Sequence, residues 1–132
     1  MNQIPEHILE TFLAESEERL DDIESGLLAL ETMADNPDPE LIHSIFRDAH
    51  SVKAGANLLK LSTIETLAHK LENVLEMIRR HELRVTEGII TACLESVDKL
   101  RELVENIEHS ESISIRLHTA MLEMAVKKAQ GA

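Results

Sequence analysis

Hydrophobic residues recur at intervals of three and four along most of the chain, which is the spacing that places them on one face of an α-helix. Between residues 5 and 31 the series is Ile8, Phe12, Leu13, Leu20, Ile23, Leu27, Leu28 and Leu30. Further helices are predicted by the same spacing over about 39–59, 62–81, 86–109 and 113–129. Because the connections between them are short, we expect an all-α fold in which neighbouring helices pack antiparallel.

Local signals support the predicted starts of three helices. Asp38 is a good N-cap residue, and Pro39 after it suits the first helical position. The segment Ser62-Thr63-Ile64-Glu65 has the sequence of a capping box. Thr86 and Glu87 open the fourth helix.

Composition agrees with a single helical domain of residues 1–132. The chain has four Gly, three Pro and two Phe, so a core would be built from Leu, Ile, Val and Ala. No apolar run is long enough for a membrane span or a secretory leader. The single cysteine, Cys93, excludes an internal disulfide and fits a reducing compartment. We therefore expect a soluble, cytoplasmic protein.

Charge is distributed unevenly along the chain. The net charge of −12 argues against non-specific binding to nucleic acid or anionic lipid. Residues 1–46 carry twelve acids against one base, whereas residues 47–84 carry seven bases against five acids. The cations are therefore concentrated around the histidine-bearing second and third helices, although ordinary alternation of charge on helix surfaces explains the pattern equally well.

Two histidines lie on the polar faces of these helices. On the second helix, His50 lies far from the centre of the core stripe and shares a stripe with Lys53. On the third helix, His69 shares the polar side with Glu72. Both pairs lie at similar distances from the Lys60–Leu61 turn, so in an antiparallel pair of helices the four side chains could meet.

Such a set has a defined chemical use. If Glu72 accepted a hydrogen bond from Nδ1 of His50, the Nε2 atom would be left free as a nucleophile. Lys53, one turn further on, could offset the charge of a phosphoryl group. The ring supplies no catalysis of its own, so transfer would require a separate active site with Mg²⁺.

The residues alone leave other functions open. A metal-binding bundle could use His50, His69 and Glu72 as ligands, and a purely structural docking bundle would need none of them. A self-contained kinase is excluded, because four glycines cannot build a glycine-rich phosphate loop.

The segments that contain these residues resemble a known family. Ala49-His50-Ser51-Val52-Lys53-Ala54-Gly55, followed by His69-Lys70-Leu71-Glu72-Asn73-Val74-Leu75, is similar to the histidine phosphotransfer (HPt) domain, and most of all to the N-terminal phosphotransfer (P1) domain of CheA-type chemotaxis histidine kinases. The opening Phe12 to Leu20 also looks like the first helix of that family. The resemblance implies an antiparallel four-helix bundle over about 5–109, with an additional fifth helix at about 113–129.

The resemblance also implies roles for the residues. His50 would be phosphorylated, Glu72 would accept its hydrogen bond, and Lys53 and His69 would flank the site. The domain would bind no cofactor itself. The phosphoryl group would come from Mg-ATP bound to a histidine kinase catalytic domain, and it would pass to an Asp of a response-regulator receiver domain. A monomeric domain, either free or at the front of a longer kinase, is expected.

One position departs from the family pattern. Ala54 stands where the family usually has Gly, directly after Lys53. Its methyl group is expected to lie near His50, where it could slow docking or transfer.

Overall fold

The structure, a computed structural model, describes residues 4–33 and 35–131 and is helical throughout. Its elements are α1 (Glu6–Glu31), α2 (Pro39–Leu58), α3 (Ser62–Arg79), α4 (Glu87–Glu105), a 3₁₀ segment (Ile107–Ser112) and α5 (Arg116–Gly131). The all-α prediction is confirmed, and the described residues form no strand. The predicted domain also includes residues 1–3, 34 and 132, which lie outside the described part of the chain.

Four of the helices form a bundle, and the fifth lies against one side of it. Contacts join α1 to α2, α2 to α3, α3 to α4 and α4 back to α1, while α5 packs on α3 and α4. The largest fully buried side chains are Leu20, Ile23, Leu27, Leu30, Ile45, Ile64, Leu67, Leu71, Leu75, Ile89, Ile90 and Leu100. Burial of each such side chain contributes about 1.5–3 kcal/mol, so the aliphatic core is the main stabilising feature.

A close approach of α1 and α2 fixes which side of α2 faces outward. A methyl group on Gly26 of α1 would overlap Ile45 of α2, and one on Gly55 would lie 3.0 Å from Cε1 of Phe12. The two glycines therefore allow α2 to settle against α1 on its Ile45–Gly55 side. The His50 side of α2 is left at the surface.

The α2–α3 turn and the end of α3 use left-handed residues. Lys60 and His81 both have φ of 61°. At each position the following residue donates a backbone hydrogen bond back across the helix end, Leu61 to Ala56 and Glu82 to Met77, both at 2.8 Å. This is the Schellman pattern, which usually places Gly at the left-handed residue. At His81 this pattern ends α3 at Arg79, two residues before the predicted end of the helix.

The predicted capping box of α3 is wrong. Leu61 occupies the N-cap position and provides no side-chain cap. Glu111 of the 3₁₀ segment caps the helix instead, because its carboxylate accepts from Ser62 Oγ and, at 2.9 Å, from the Thr63 backbone N–H. The Glu65 side chain, which a capping box would direct back to the N-cap backbone N–H, instead accepts a hydrogen bond from Asn57 of α2 at 2.8 Å.

The end of α4 also differs from the prediction. The helix ends at Glu105 rather than near residue 109. Asn106 causes the break, since its side-chain amide donates back to the Glu102 carbonyl at 2.8 Å while its backbone leaves helical geometry. The 3₁₀ segment follows, and α5 consequently begins at Arg116 rather than about 113.

Two positions of α1 are more exposed than the periodicity predicted. Ile8 and Leu28, which the periodicity placed with the core residues of α1, are 41% and 45% exposed.

Among the helices described, none is both long enough and apolar enough to cross a membrane.

Candidate functional site

His50 lies near the middle of α2 with its imidazole half in solvent. Its neighbours Ala49 and Val52 are buried in the core, and this anchors the opposite face of the helix. The imidazole side chain is 54% exposed. A bulky partner can therefore reach the ring without any movement of the bundle.

Glu72 of α3 lies beside His50 and is almost completely covered. The sequence placed it on the polar face of α3, yet its side chain is only 8% exposed. The reason is that α2 packs over this part of α3 and covers it with the His50 and Lys53 side chains. One carboxylate oxygen bonds to Nδ1 of His50 in a short contact, and the other accepts from Lys53 Nζ at 2.8 Å.

These contacts set the protonation state of the carboxylate. Burial on its own would raise the pKa of Glu72, but the hydrogen bonds from Lys53 and His50 outweigh it and lower the pKa below its usual value. Glu72 is therefore ionised at neutral pH and can only accept hydrogen bonds.

The tautomer of His50 follows from this. An acceptor-only carboxylate at Nδ1 requires that Nδ1 bears the proton. The neutral ring then has its lone pair on Nε2. Among the described residues, no side chain or backbone group bonds to Nε2, so the ring presents an unengaged nucleophilic nitrogen on its exposed side.

Lys53 completes a three-residue cluster. Its side chain is 23% exposed, so the ammonium is only partly dehydrated while it neutralises the covered carboxylate. A buried carboxylate without this cation would be costly, whereas here both oxygens are engaged. The carboxylate of Glu72 therefore holds the Lys53 ammonium and the His50 imidazole in one cluster.

His69 is not part of this cluster. It lies exposed on α3, one turn before Glu72. Within residues 4–33 and 35–131, no hydrogen bond or ion pair joins it to His50, Lys53 or Glu72. The structure thus brings together three of the four residues named from the sequence.

The site also contains an aromatic contact that was not predicted from the sequence. The Phe46 ring stacks on the His50 ring, with centroids 6.3 Å apart and planes 23° from parallel, and the His43 ring also stacks on Phe46, with centroids 6.4 Å apart. The guanidinium of Arg79, from α3, lies 4.9 Å from the centre of the Phe46 ring. The spacing of three and four residues along α2 could have revealed the stack, but Phe46 lay outside both the core stripe and the polar stripe.

The metal-binding alternative gains no support from the geometry. In the described part of the chain, no group of three or more His, Cys, Asp or Glu side chains is arranged to bind a metal ion. Cys93 is fully buried in the core, and burial raises the pKa of its thiol to about 12.

Comparisons with known proteins agree on one family. The family model described as the Hpt domain matches residues 7–110. The chemotaxis protein CheA of Klebsiella aerogenes is 39% identical over 102 residues, which is 77% of this chain but only 15% of that protein. The chain thus spans a small fraction of its curated relative.

Solved structures give the same result for the fold. The phosphorylated P1 domain of CheA3 from R. sphaeroides, in complex with CheY6, superposes with a TM-score of 0.81 at 23% identity, over 95% of this chain and 99% of that chain. The CheA phosphotransferase domain of Thermotoga maritima gives 0.73 at 30% identity, over 80% and 98%. The resemblance found in the sequence is confirmed.

Proposed function

Because this chain belongs to the histidine phosphotransfer (Hpt) domain family, whose members are phosphoryl carriers rather than catalytic domains, we propose that His50 is its phosphorylated residue. The observation that supports this most directly is the contact of Nδ1 with a covered, ionised Glu72, which leaves Nε2 unengaged on a half-exposed ring. Lys53 and Glu72 are the positioning partners of the ring in this proposal. His69 is assigned a flanking role near an incoming phosphoryl group.

The chemistry proceeds in two transfers. In the first, the Nε2 lone pair attacks the γ-phosphorus of ATP, an Nε2–P bond forms, and the bond to the β,γ-bridging oxygen breaks to release ADP. In the second, a carboxylate oxygen of an Asp attacks the same phosphorus and the Nε2–P bond breaks. Glu72 stabilises the positive charge that develops on the ring during the first step.

The partners belong to the same proposal. The ATP, with its Mg²⁺, is bound by a histidine kinase catalytic domain, and the accepting Asp belongs to a response-regulator receiver domain in chemotaxis signalling. The CheA relative and the CheA3–CheY6 complex support this choice. We propose further that the domain works as a monomeric unit of a CheA-type kinase, in the cytoplasm where ATP is available, with no bound cofactor of its own.

The test is phosphorylation by a CheA-type kinase core with γ-labelled Mg-ATP. We expect an acid-labile, base-stable label on the wild-type domain and none on His50→Gln. His109→Gln is the matched control, because it makes the same change at an exposed histidine of the 3₁₀ segment. Addition of a CheY-type receiver should then remove the label from the domain and transfer it to the receiver.

Two results would contradict the proposal. A label that persists in His50→Gln would place the phosphoryl group on another residue. No label with any of several kinase cores, on a domain shown to be folded, would favour a docking module instead. In that case Ala54, which is exposed on α2, is the first residue to replace by Gly, the residue that the family usually has at this position.

A further inference from the structure

The hydrogen bond from Glu72 does not by itself fix the orientation of the His50 ring. The His50 ring turns about two torsion angles, χ1 and χ2, and its single contact through Nδ1 with Glu72 constrains only one combination of them, so the ring can still rock while Nδ1 stays bound. Nε2 lies on the far side of the ring from Cβ, so this rocking displaces it. In-line attack on phosphorus tolerates little misplacement of the nucleophile, because reacting groups must be held close and aligned.

Phe46 lies where it limits this rocking. Its ring faces the imidazole at 6.3 Å between centroids and 23° between planes, within the range of offset stacking. Phe46 is also partly buried and packs against the core, so its own position is constrained. An imidazole that rocks toward Phe46 would meet its ring.

Phe46 is supported from the other helix. The Arg79 guanidinium lies over its ring at 4.9 Å, a cation–π arrangement. Two hydrogen bonds to Glu76, from Nε at 2.7 Å and from Nη2 at 3.0 Å, fix the plane of this guanidinium. Contacts therefore run continuously from Glu76 through Arg79 and Phe46 to His50.

We propose that Phe46 is a positioning residue for His50, which keeps Nε2 aimed at the incoming phosphorus, and that Arg79 acts through Phe46. This proposal rests on the phosphorylation of His50. Glu72 sets the tautomer of the ring, and Phe46 sets its plane. The two contacts come from different sides of the imidazole and are not interchangeable.

The first experiment measures phosphorylation of the domain by phosphoramidate, a small donor that needs no docking partner. We expect Phe46→Leu, which keeps apolar volume but removes the ring, to lower the rate about three- to ten-fold, in line with the loss of one aromatic contact. Phe46→Tyr keeps the ring and should restore most of the rate. Phe12→Leu, the same change at the other phenylalanine, should leave the rate unchanged.

Arg79 and Arg80 provide a second matched pair. Both donate to Glu76, Arg80 through Nε at 2.8 Å, but only Arg79 lies over the ring. Arg79→Met should therefore lower the rate, and Arg80→Met should not. Equal rates in Phe46→Leu and wild type, or equal losses in Phe46→Leu and Phe46→Tyr, would overturn the proposal.

A second readout does not depend on phosphorylation. The NMR order parameter of the His50 Cε1–H bond reports how far the ring rocks in the unmodified domain. It should fall in Phe46→Leu and stay at the wild-type value in Phe12→Leu and Phe46→Tyr. If the wild-type domain is not phosphorylated but the order parameters change as expected, only the proposed function of His50 is contradicted. An unchanged order parameter in Phe46→Leu would contradict the role of Phe46.

Discussion

At the scale of single residues, the most informative side chain is Glu72. It is a carboxylate covered by the helix that bears its two hydrogen-bond partners, and one negative charge is shared between an ammonium and an imidazole. The orientation of His50 therefore depends on the protonation state of Glu72. Both the reactivity and the acid stability of the domain should therefore respond to changes at this residue.

Replacement of Glu72 by Gln should slow phosphorylation of His50 while the bundle stays folded. The amide can still meet His50, but it no longer favours the developing positive charge or fixes the proton on Nδ1. We expect a loss of about ten-fold, the lower end of what the removal of a carboxylate partner costs at metal-bound histidines. Initial rates with the kinase core measure it, with circular dichroism as the check on folding, and an unchanged rate would remove Glu72 from the mechanism.

The lowered pKa of Glu72 predicts how stability depends on pH. Since its pKa is lower in the folded than in the unfolded chain, the carboxylate stabilises the fold above its ordinary pKa of 4.5. This contribution is lost as the pH falls through the folded-state pKa. Urea unfolding between pH 7 and pH 3 should therefore show a smaller loss of stability for Glu72→Gln than for wild type, and parallel curves would contradict the prediction.

The sequence allowed prediction of His50, Lys53 and Glu72 as neighbours, because helix periodicity and a short turn fix which faces meet. It did not predict that Glu72 is covered, since a helical wheel describes one helix without its neighbour. Phe46 was missed for a related reason. A residue at the edge of the apolar stripe can point to the core or to the site, and only the packing of α3 decides between them.

At the scale of secondary-structure elements, helix starts were predicted well where the cap is local. Asp38 accepts from the Glu40 N–H at 3.0 Å and Thr86 from the Ile89 N–H at 3.1 Å, as expected. The start of α3 at Ser62 was predicted correctly, but its cap was not, because the cap comes from Glu111, which is distant in sequence. Partial burial would raise the pKa of Glu111, but the hydrogen bonds from Ser62 and Thr63 lower it, as expected for a carboxylate at a helix N-terminus.

Removal of this distant cap should destabilise the bundle. Glu111→Ala leaves the Thr63 N–H without its acceptor, and we expect a loss of about 1 kcal/mol in the free energy of unfolding. Glu108→Ala is the control, since it removes an exposed acid from the same 3₁₀ segment. If urea denaturation gave the same stability for both variants, Glu111 would have no capping role.

At the scale of the whole molecule, the bundle is held by its core and only modestly by its charges. Arg101 of α4 bonds to Asp21 of α1 at 2.8 Å, to Glu24 of the same helix, and to Asp98 of its own helix at 3.2 Å. Largely exposed ion pairs contribute little, about 0–1 kcal/mol each. Helix α5 is attached to the bundle by apolar contacts and by an ion pair between Glu123 and Lys70 of α3 at 3.1 Å, and Leu122 is its one buried residue within the described chain.

Leu122 should therefore anchor α5. Leu122→Ala is expected to lower the free energy of unfolding by about 2–5 kcal/mol, the usual cost of this change in a core. Met124→Ala, at a position 70% exposed, should change it little. Because the site lies on α2 and α3, the phosphorylation rate of the folded Leu122→Ala domain should equal that of wild type, and a slower rate would show that α5 supports the site.

The short α2–α3 connection also has a consequence for the order of folding. Glu72 is 22 residues from His50 and 19 from Lys53, whereas Arg101 is 80 residues from Asp21. The entropy lost in closing a loop grows with its length, so the helical hairpin of α2 and α3 is expected to pair before α1 meets α4. The chemical centre then belongs to the most local unit of the chain, and its geometry is expected to form before the rest of the bundle closes around it.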